Sequence, residues 1–369
     1  MSRIAQLSLG YVNYEAGRAE VRWGAHRFRY AALLARVRTD DGATGLGVAW
    51  AHLDDELKYA EASRAPLAAS AIGADALAPF ESGRLCQQAA YNSGVARAGS
   101  VVEMALWDLA GQLLGVPVYQ LLGCKRRSLP AYVISAEEFA FRSVAQFVEL
   151  AERYVEAGFK ACKFHLWGEA DRDIAACRAI RKAVGDDIKL MLDPAGRFGR
   201  EDALRIGRAI EDLGFIRYED PLTPLDAAGY RWLASRVSVP LVVNESLRWG
   251  LEECAAAARA GTVQGFRLEI GRAGIEHGLA LAAIAEANGA ELDVASLAPR
   301  GGLELCLHFA LSASPTRWFE HHEALGLEEL PGLRPGVFVE GGLARPTERA
   351  GFGYEVDWAE LDGHCTWFT

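Results

Sequence analysis

DIKLMLDPA (187–195), REDALRIGRAIEDLG (200–214) and FIRYEDP (215–221) follow one another in the chain and decide the fold. The first and third read as buried strands, and the middle one as the helix that joins them. Strands joined through a helix lie parallel. Working outward, the same unit recurs. Upstream, PAYVIS (130–135) is followed by SVAQFVELAERYVEAG (143–158), an amphipathic helix closed by Gly158, and ACKFHLW (161–167) by DIAACRAIRKAVG (173–185). Downstream, PLVVNES (240–246), GFRLEIG (265–271), ELDVAS (291–296) and RWFEHHE (317–323) continue the alternation. Eight such strands favour a parallel sheet closed into a barrel with right-handed crossovers. No glycine fingerprint of the G-x-G-x-x-G kind follows the first strand, which argues against a dinucleotide-binding open sheet.

The segment before the barrel has another texture. FRYAALLARVRTDDGATGLGVAW (28–50) reads as an antiparallel hairpin. A helical stretch follows and ends in SVVEMALWDLAGQLLGVPVYQLLG (100–123), after which CKRRS (124–128) looks like a joint. Residues 1–125 are thus expected to form an α+β capping domain and 126–323 the barrel, with the tail 324–369 returning to the cap.

At 369 residues, 51% hydrophobic and 24% charged, the composition is that of a globular protein. The net charge of −10 and the lack of a basic block argue against a nucleic-acid partner. Seven scattered cysteines without a C-x-x-C pair suit reduced thiols. With no signal-like N-terminus and no apolar run of membrane-spanning length, a soluble cytoplasmic protein is expected.

Three strands end in a carboxylate: Asp193, Glu219 and Glu245, each one β/α unit after the last. Neighbouring parallel strands lie about 4.8 Å apart, so these acids converge at one end of the sheet. Each singly would suit a helix cap. All three in register, two of them Glu, suit a hard divalent cation, with Mg2+ the expected choice. On ACKFHLW, Lys163 and His165 share one face.

GFKACKFH, LMLDPAG, YEDPLTPLD and VNESL, preceded by ALWDLAGQLLGVPVYQLLG, resemble the mandelate racemase group of the enolase superfamily. The resemblance runs from about residue 28 to 323. It implies a (β/α)7β modified TIM barrel with an α+β cap, and makes Asp193, Glu219 and Glu245 the Mg2+ ligands. Proteins of this group remove the proton α to a carboxylate through an enediolate, with a Lys or His as base. The resemblance puts His165 at the base position and Lys163 beside it as the electrostatic partner. Glu320 falls where relatives place an acid that, protonated, hydrogen-bonds the substrate carboxylate.

The pattern then breaks. Many members of the group carry a His on the seventh strand backed by an Asp on the sixth; here Ala295 and Glu269, or Leu268 on a shifted register, take those places. Two-base racemisation is therefore disfavoured, and syn-dehydration of a polyhydroxy (sugar) acid by one residue is favoured. An acid-sugar epimerase or racemase, and a silent carboxylate-binding barrel, remain alternatives. Arg267 and Glu269 share a face, which leaves a site role and a plain salt bridge both open. His322 follows Glu320 either as a second proton carrier or as an inert loop residue just past the strand, His308 is expected in the core and His277 on a helix surface. Segments 14–27 and 50–57 of the cap are candidates for substrate selection. The expected partner is a small carboxylate, with no membrane contact. The relatives' habit implies a homo-oligomer, dimer or octamer.

Overall fold

A computed structural model describes residues 2–13, 20–23, 26–52, 56–92, 96–135, 141–243, 249–295, 301–323 and 330–368. Glu245 and half of the candidate cap segments lie outside them.

The cap begins with strands β1 (Ile4–Asn13), β2 (Glu20–Trp23), β3 (His26–Thr39) and β4 (Thr44–His52). Helices α1 (Glu56–Ala71), α2 (Pro79–Asn92) and α3 (Ala96–Leu114) follow, with a short α4 (Val118–Leu121). β3 pairs antiparallel with β1, β2 and β4, as the hairpin reading required. Gly45 and Gly47 let α3 lie directly on β4. A Cβ on Gly47 would stand 2.0 Å from the Val101 carbonyl oxygen, and one on Gly45 2.2 Å from that of Ala105.

The barrel runs β5 (Leu129–Ser135), α5 (Val144–Glu156), β6 (Ala161–Phe164), α6 (Ala170–Val184), β7 (Lys189–Leu192), α7 (Arg200–Asp212), β8 (Arg217–Glu219), α8 (Ala227–Ala234) and β9 (Leu241–Val243). It continues with α9 (Leu251–Arg259), β10 (Gly265–Glu269), α10 (Ile270–Ala273), α11 (Ile275–Ala287), β11 (Glu291–Ala295), α12 (Gly302–Ser312) and β12 (Phe319–Glu323). The parallel order is β12-β5-β6-β7-β8-β9-β10-β11, which is the (β/α)7β barrel. Local chemistry sets its elements. Ser143 and Gln146 form a reciprocal capping box that starts α5. Helix α7 turns Ala203, Ile206, Gly207 and Ile210 inward at helical spacing. The strands between helices are three to five residues long and almost wholly buried, as parallel strands covered on both faces must be.

After β12 come β13 (Leu333–Arg334), β14 (Val337–Glu340), β15 (Leu343–Pro346), β16 (Glu355–Val356), α13 (Trp358–His364) and β17 (Thr366–Trp367). The tail touches both sheets: β15 pairs with β5 and β17 with β1, where the Phe368 N–H also donates to the Leu9 carbonyl at 2.9 Å. Buried carboxylates tie the units together. Glu103 of α3 accepts the first N–H groups of α11, Ile275 at 3.0 Å and Glu276 at 2.9 Å. Asp108 accepts from Leu46 N–H at 3.0 Å and Phe352 N–H at 2.9 Å, and burial pushes its carboxyl up to about 7. All seven cysteines are free thiols. Among the described residues no helix is long and apolar enough to cross a membrane.

Candidate active site

Side chains on alternate positions of parallel strands point inward, and here those positions are polar. Lys163 of β6 lies on the inner face, and His165 follows one residue past the end of that strand. Asp193 stands just past β7, and Glu219 closes β8. The backbone beyond both acids is bent into the left-handed region: Ala195 has φ 54° and Asp220 φ 34°, the two non-glycine residues with positive φ among those described. Such conformations cost of order 1–3 kcal/mol each and persist only where the surroundings impose them. Here they are held by hydrogen bonds, Ala195 N–H to Asp193 Oδ1 at 2.8 Å and Gly196 N–H to the Asp220 carbonyl at 2.6 Å.

Lys163 is the hub. Its Nζ lies 3.1 Å from both Glu219 oxygens, 3.0 Å from Glu320 Oε2 and 3.7 Å from Asp193 Oδ2. Burial and Arg267 oppose its charge, yet Glu219, Glu320 and Asp193 together hold the ammonium protonated above its ordinary range. Lys163 thus stands among three carboxyl groups that favour its charged form. His165 Nε2 lies 3.0 Å from Asp193 Oδ2. Burial alone would raise the Asp193 carboxyl, but His165 and Lys163 outweigh it and keep that group ionised.

Beneath this layer Arg267 donates to both Glu320 oxygens at 2.6 Å and to the Tyr132 hydroxyl at 2.7 Å, pairs with Asp293, and lies 3.2 Å from Glu219 Oε1. Arg217 pairs with Asp293 Oδ1 at 2.8 Å. The Tyr132 hydroxyl donates to Glu320 Oε2 at 2.5 Å. Burial works against the Glu320 charge, but Arg267, Lys163 and His322 hold its carboxyl well below the carboxylate range. Arg267 and Lys163 thus favour the ionised form of Glu320.

The shared face of Arg267 and Glu269 splits in two. Arg267 enters the interior network, whereas Glu269 pairs with Arg97 of α3 at 3.1 Å, and the Arg97 guanidinium lies 3.9 Å from the centre of the Trp50 ring. Ala295 is the register partner of Glu269 on the neighbouring strand. His308 accepts the Tyr119 N–H at Nδ1, 3.2 Å away in the core, as expected. His277 departs from expectation, being half-buried, with burial lowering its pKa. Tyr132, Arg217 and Asp293 are interior site residues that the sequence reading missed.

Among the described residues no three His, Cys, Asp or Glu side chains are gathered as a metal site. Asp193 and Glu219, two of the three expected ligands, meet around Lys163, and Glu245 lies outside the described residues. The donor set nevertheless fits a hard cation. The described interior gathers four carboxyl groups, Asp193, Glu219, Asp293 and Glu320, among Lys163, Arg217 and Arg267, an oxygen-rich donor set. Burial, with Asp193 and Asp293 nearby, raises Glu219 to about 8 although Arg267 and Lys163 lie beside it, so a further cation would favour its ionised form.

Residues 25–123 match the family model of the mandelate racemase/muconate lactonizing enzyme N-terminal domain, and residues 146–360 that of the enolase C-terminal domain-like family. The chain belongs to the mandelate racemase group of the enolase superfamily. The L-Lys-D/L-Arg epimerase of Methylococcus capsulatus is 27% identical over 328 residues, covering 87% of this chain and 90% of its own. The L-talarate/galactarate dehydratase of Salmonella typhimurium is 26% identical over 348 residues, covering 90% and 83%. Among solved structures, a mandelate racemase/muconate lactonizing protein from Paracoccus denitrificans PD1222, complexed with magnesium, superposes with a TM-score of 0.83 at 25% identity over the whole of both chains. Enolase superfamily members use Mg2+, and the relatives include both acid-sugar dehydratases and epimerases.

Proposed function

We propose that this enolase superfamily member is a Mg2+-dependent dehydratase of polyhydroxy acids. The observation that carries the reading is the division of labour on the second barrel strand and just beyond it. Lys163 stands among three carboxyl groups that favour its charged form, so His165 is the group beside it better suited to take a proton. Imidazole changes charge near neutral pH and suits that task. Asp193, Glu219 and Glu245 are the residues to hold Mg2+, which when bound offsets the negative charge that grows on the substrate carboxylate. Lys163 adds a second positive charge at the same place, where low dielectric makes it count most. Arg267 and Tyr132 pin Glu320, so the site is rigid before substrate arrives.

On the far side of the mouth Ala295 offers no proton carrier and Glu269 is bound to Arg97. Inversion needs a donor on each face; loss of water from the neighbouring carbon does not. The dehydratases among the relatives, acting on galactarate, talarate or arabinonate by their names, support this reading.

Incubation of a panel of aldonates and aldarates with the protein and Mg2+ in deuterium oxide tests it. The expected result is exchange at the α-carbon with formation of a 2-oxo-3-deoxy acid. Exchange with configurational change and no loss of water would establish an epimerase instead.

A further inference from the structure

We infer that His322 is a second proton carrier of this site, the one that protonates the departing hydroxyl; the inference rests on the dehydratase reading above. Two imidazoles are held in matching ways. His165 Nε2 lies 3.0 Å from Asp193 Oδ2, and His322 Nε2 lies 2.8 Å from Glu320 Oε1. The two carboxylates meet at one point, Lys163 Nζ, 3.7 Å from Asp193 Oδ2 and 3.0 Å from Glu320 Oε2. An unbroken run of polar contacts therefore joins the two rings through Lys163. The strands β6 and β12 that bring them in flank β5 on either side.

His322 is not a surface residue that happens to be near. It is 4% exposed, against 5% for His165, and it shares the inward face of β12 with Glu320. His321, one residue earlier, turns outward and stacks on Phe159 with ring centres 5.5 Å apart. Glu320 engages Nε2 and so fixes the ring, and no other hydrogen-bond partner of His322 is present among the described residues.

The chemistry gives such a group work. Hydroxide is a poor leaving group and departs readily only as water. His165, once it has given the proton shared with Asp193 to solvent, takes the α-proton, the C–H electron pair becomes the new C=C bond, and the C–O bond to the β-carbon breaks. The leaving oxygen takes the proton of the His322 imidazolium and departs as water. The enol then tautomerises to the 2-oxo acid. His165 gives its proton to solvent and His322 regains one. No oxidant or further reactant enters. His165 is thereby relieved of carrying one proton between two carbons.

The test uses the panel acid that exchanges with the unaltered protein, together with its 3-deoxy-3-fluoro analogue, whose fluoride leaves with little help from a proton. His322→Asn and His322→Gln are expected to keep α-deuterium exchange within about tenfold while water loss falls by roughly 10²–10⁴-fold, the usual worth of a general acid. Fluoride release should remain near the parent rate. Water loss within about threefold of the parent overturns the inference, as does fluoride release that falls with it. Exchange abolished in both variants also overturns it, because His322 would then be structural or part of the first step. If the unaltered protein exchanges no acid at all, it is the dehydratase reading that fails.

Discussion

Arg97 of the cap and Glu269 of the barrel form a buried ion pair, 3.1 Å apart and 2% and 1% exposed. It stands beside Ala295, the register partner of Glu269 on the neighbouring strand. The cap thus sends a cation to the end of the sixth barrel strand and pairs it there.

Removing Arg97 leaves Glu269 with the longer contact to Arg272, 3.9 Å away, so the loss falls below the roughly 3–5 kcal/mol of a fully uncompensated buried charge. Arg97→Met should lower the urea midpoint accordingly. Arg97→Met combined with Glu269→Leu should recover most of that loss. Equal midpoints for the parent and Arg97→Met would show that the pair contributes nothing.

His165→Ala should abolish α-deuterium exchange, by roughly 10²–10⁴-fold or more, while Mg2+ still binds. Proton NMR in deuterium oxide reads the exchange and calorimetric titration reads the metal. Exchange near the parent rate would remove His165 as the base.

Glu219→Gln should weaken Mg2+ binding at least about tenfold, since an amide oxygen replaces a charged ligand in a site that favours carboxylates. Titration calorimetry measures it directly. An unchanged affinity would count against the ligand assignment.

Stability should depend on pH through Asp108. Burial lifts its carboxyl in the folded chain to about 7, above the ordinary 3.8, despite the N–H groups of Leu46 and Phe352. Between those two values the folded chain holds a proton that the unfolded chain has lost, so stability falls as pH rises. The contribution is complete below about pH 4 and gone above about pH 7, and amounts to a few kcal/mol at most. Denaturant midpoints at pH 5 and pH 8 should differ in that direction, and the difference should shrink in Asp108→Asn.

Gly47→Ala should destabilise by about 3 kcal/mol or more, because the new methyl group would overlap the Val101 carbonyl oxygen and push α3 off β4. A thermal midpoint within a degree of the parent would contradict that contact.

Much of this was legible in the chain because strand–helix alternation is a local signal. Asp193 and Glu219 declared themselves by ending strands one unit apart, and Lys163 with His165 by standing two apart in an apolar run. Arg217, Asp293 and Tyr132 did not, since a lone polar or aromatic residue in a short strand looks like a salt bridge or a core ring. The signal that marks them is period two: Arg217 precedes Glu219 by two, as Lys163 precedes His165. The fate of Glu269 was hidden for another reason. Its partner Arg97 is remote in the chain, and nothing local tells which cap residue will meet which barrel strand. The ionisation of Glu320 likewise depends on Arg267 and Lys163, which come from two other strands.

The pairing of β17 with β1 has a consequence for how the molecule is made. Strand β1, made before every barrel strand, keeps an open edge until residues 366 and 367 have been synthesised. The cap sheet is thus completed only after the whole barrel has been translated. An unpaired edge waiting that long is a target for stray strand pairing. Newly made chains stalled before residue 366 should therefore be the species that aggregate.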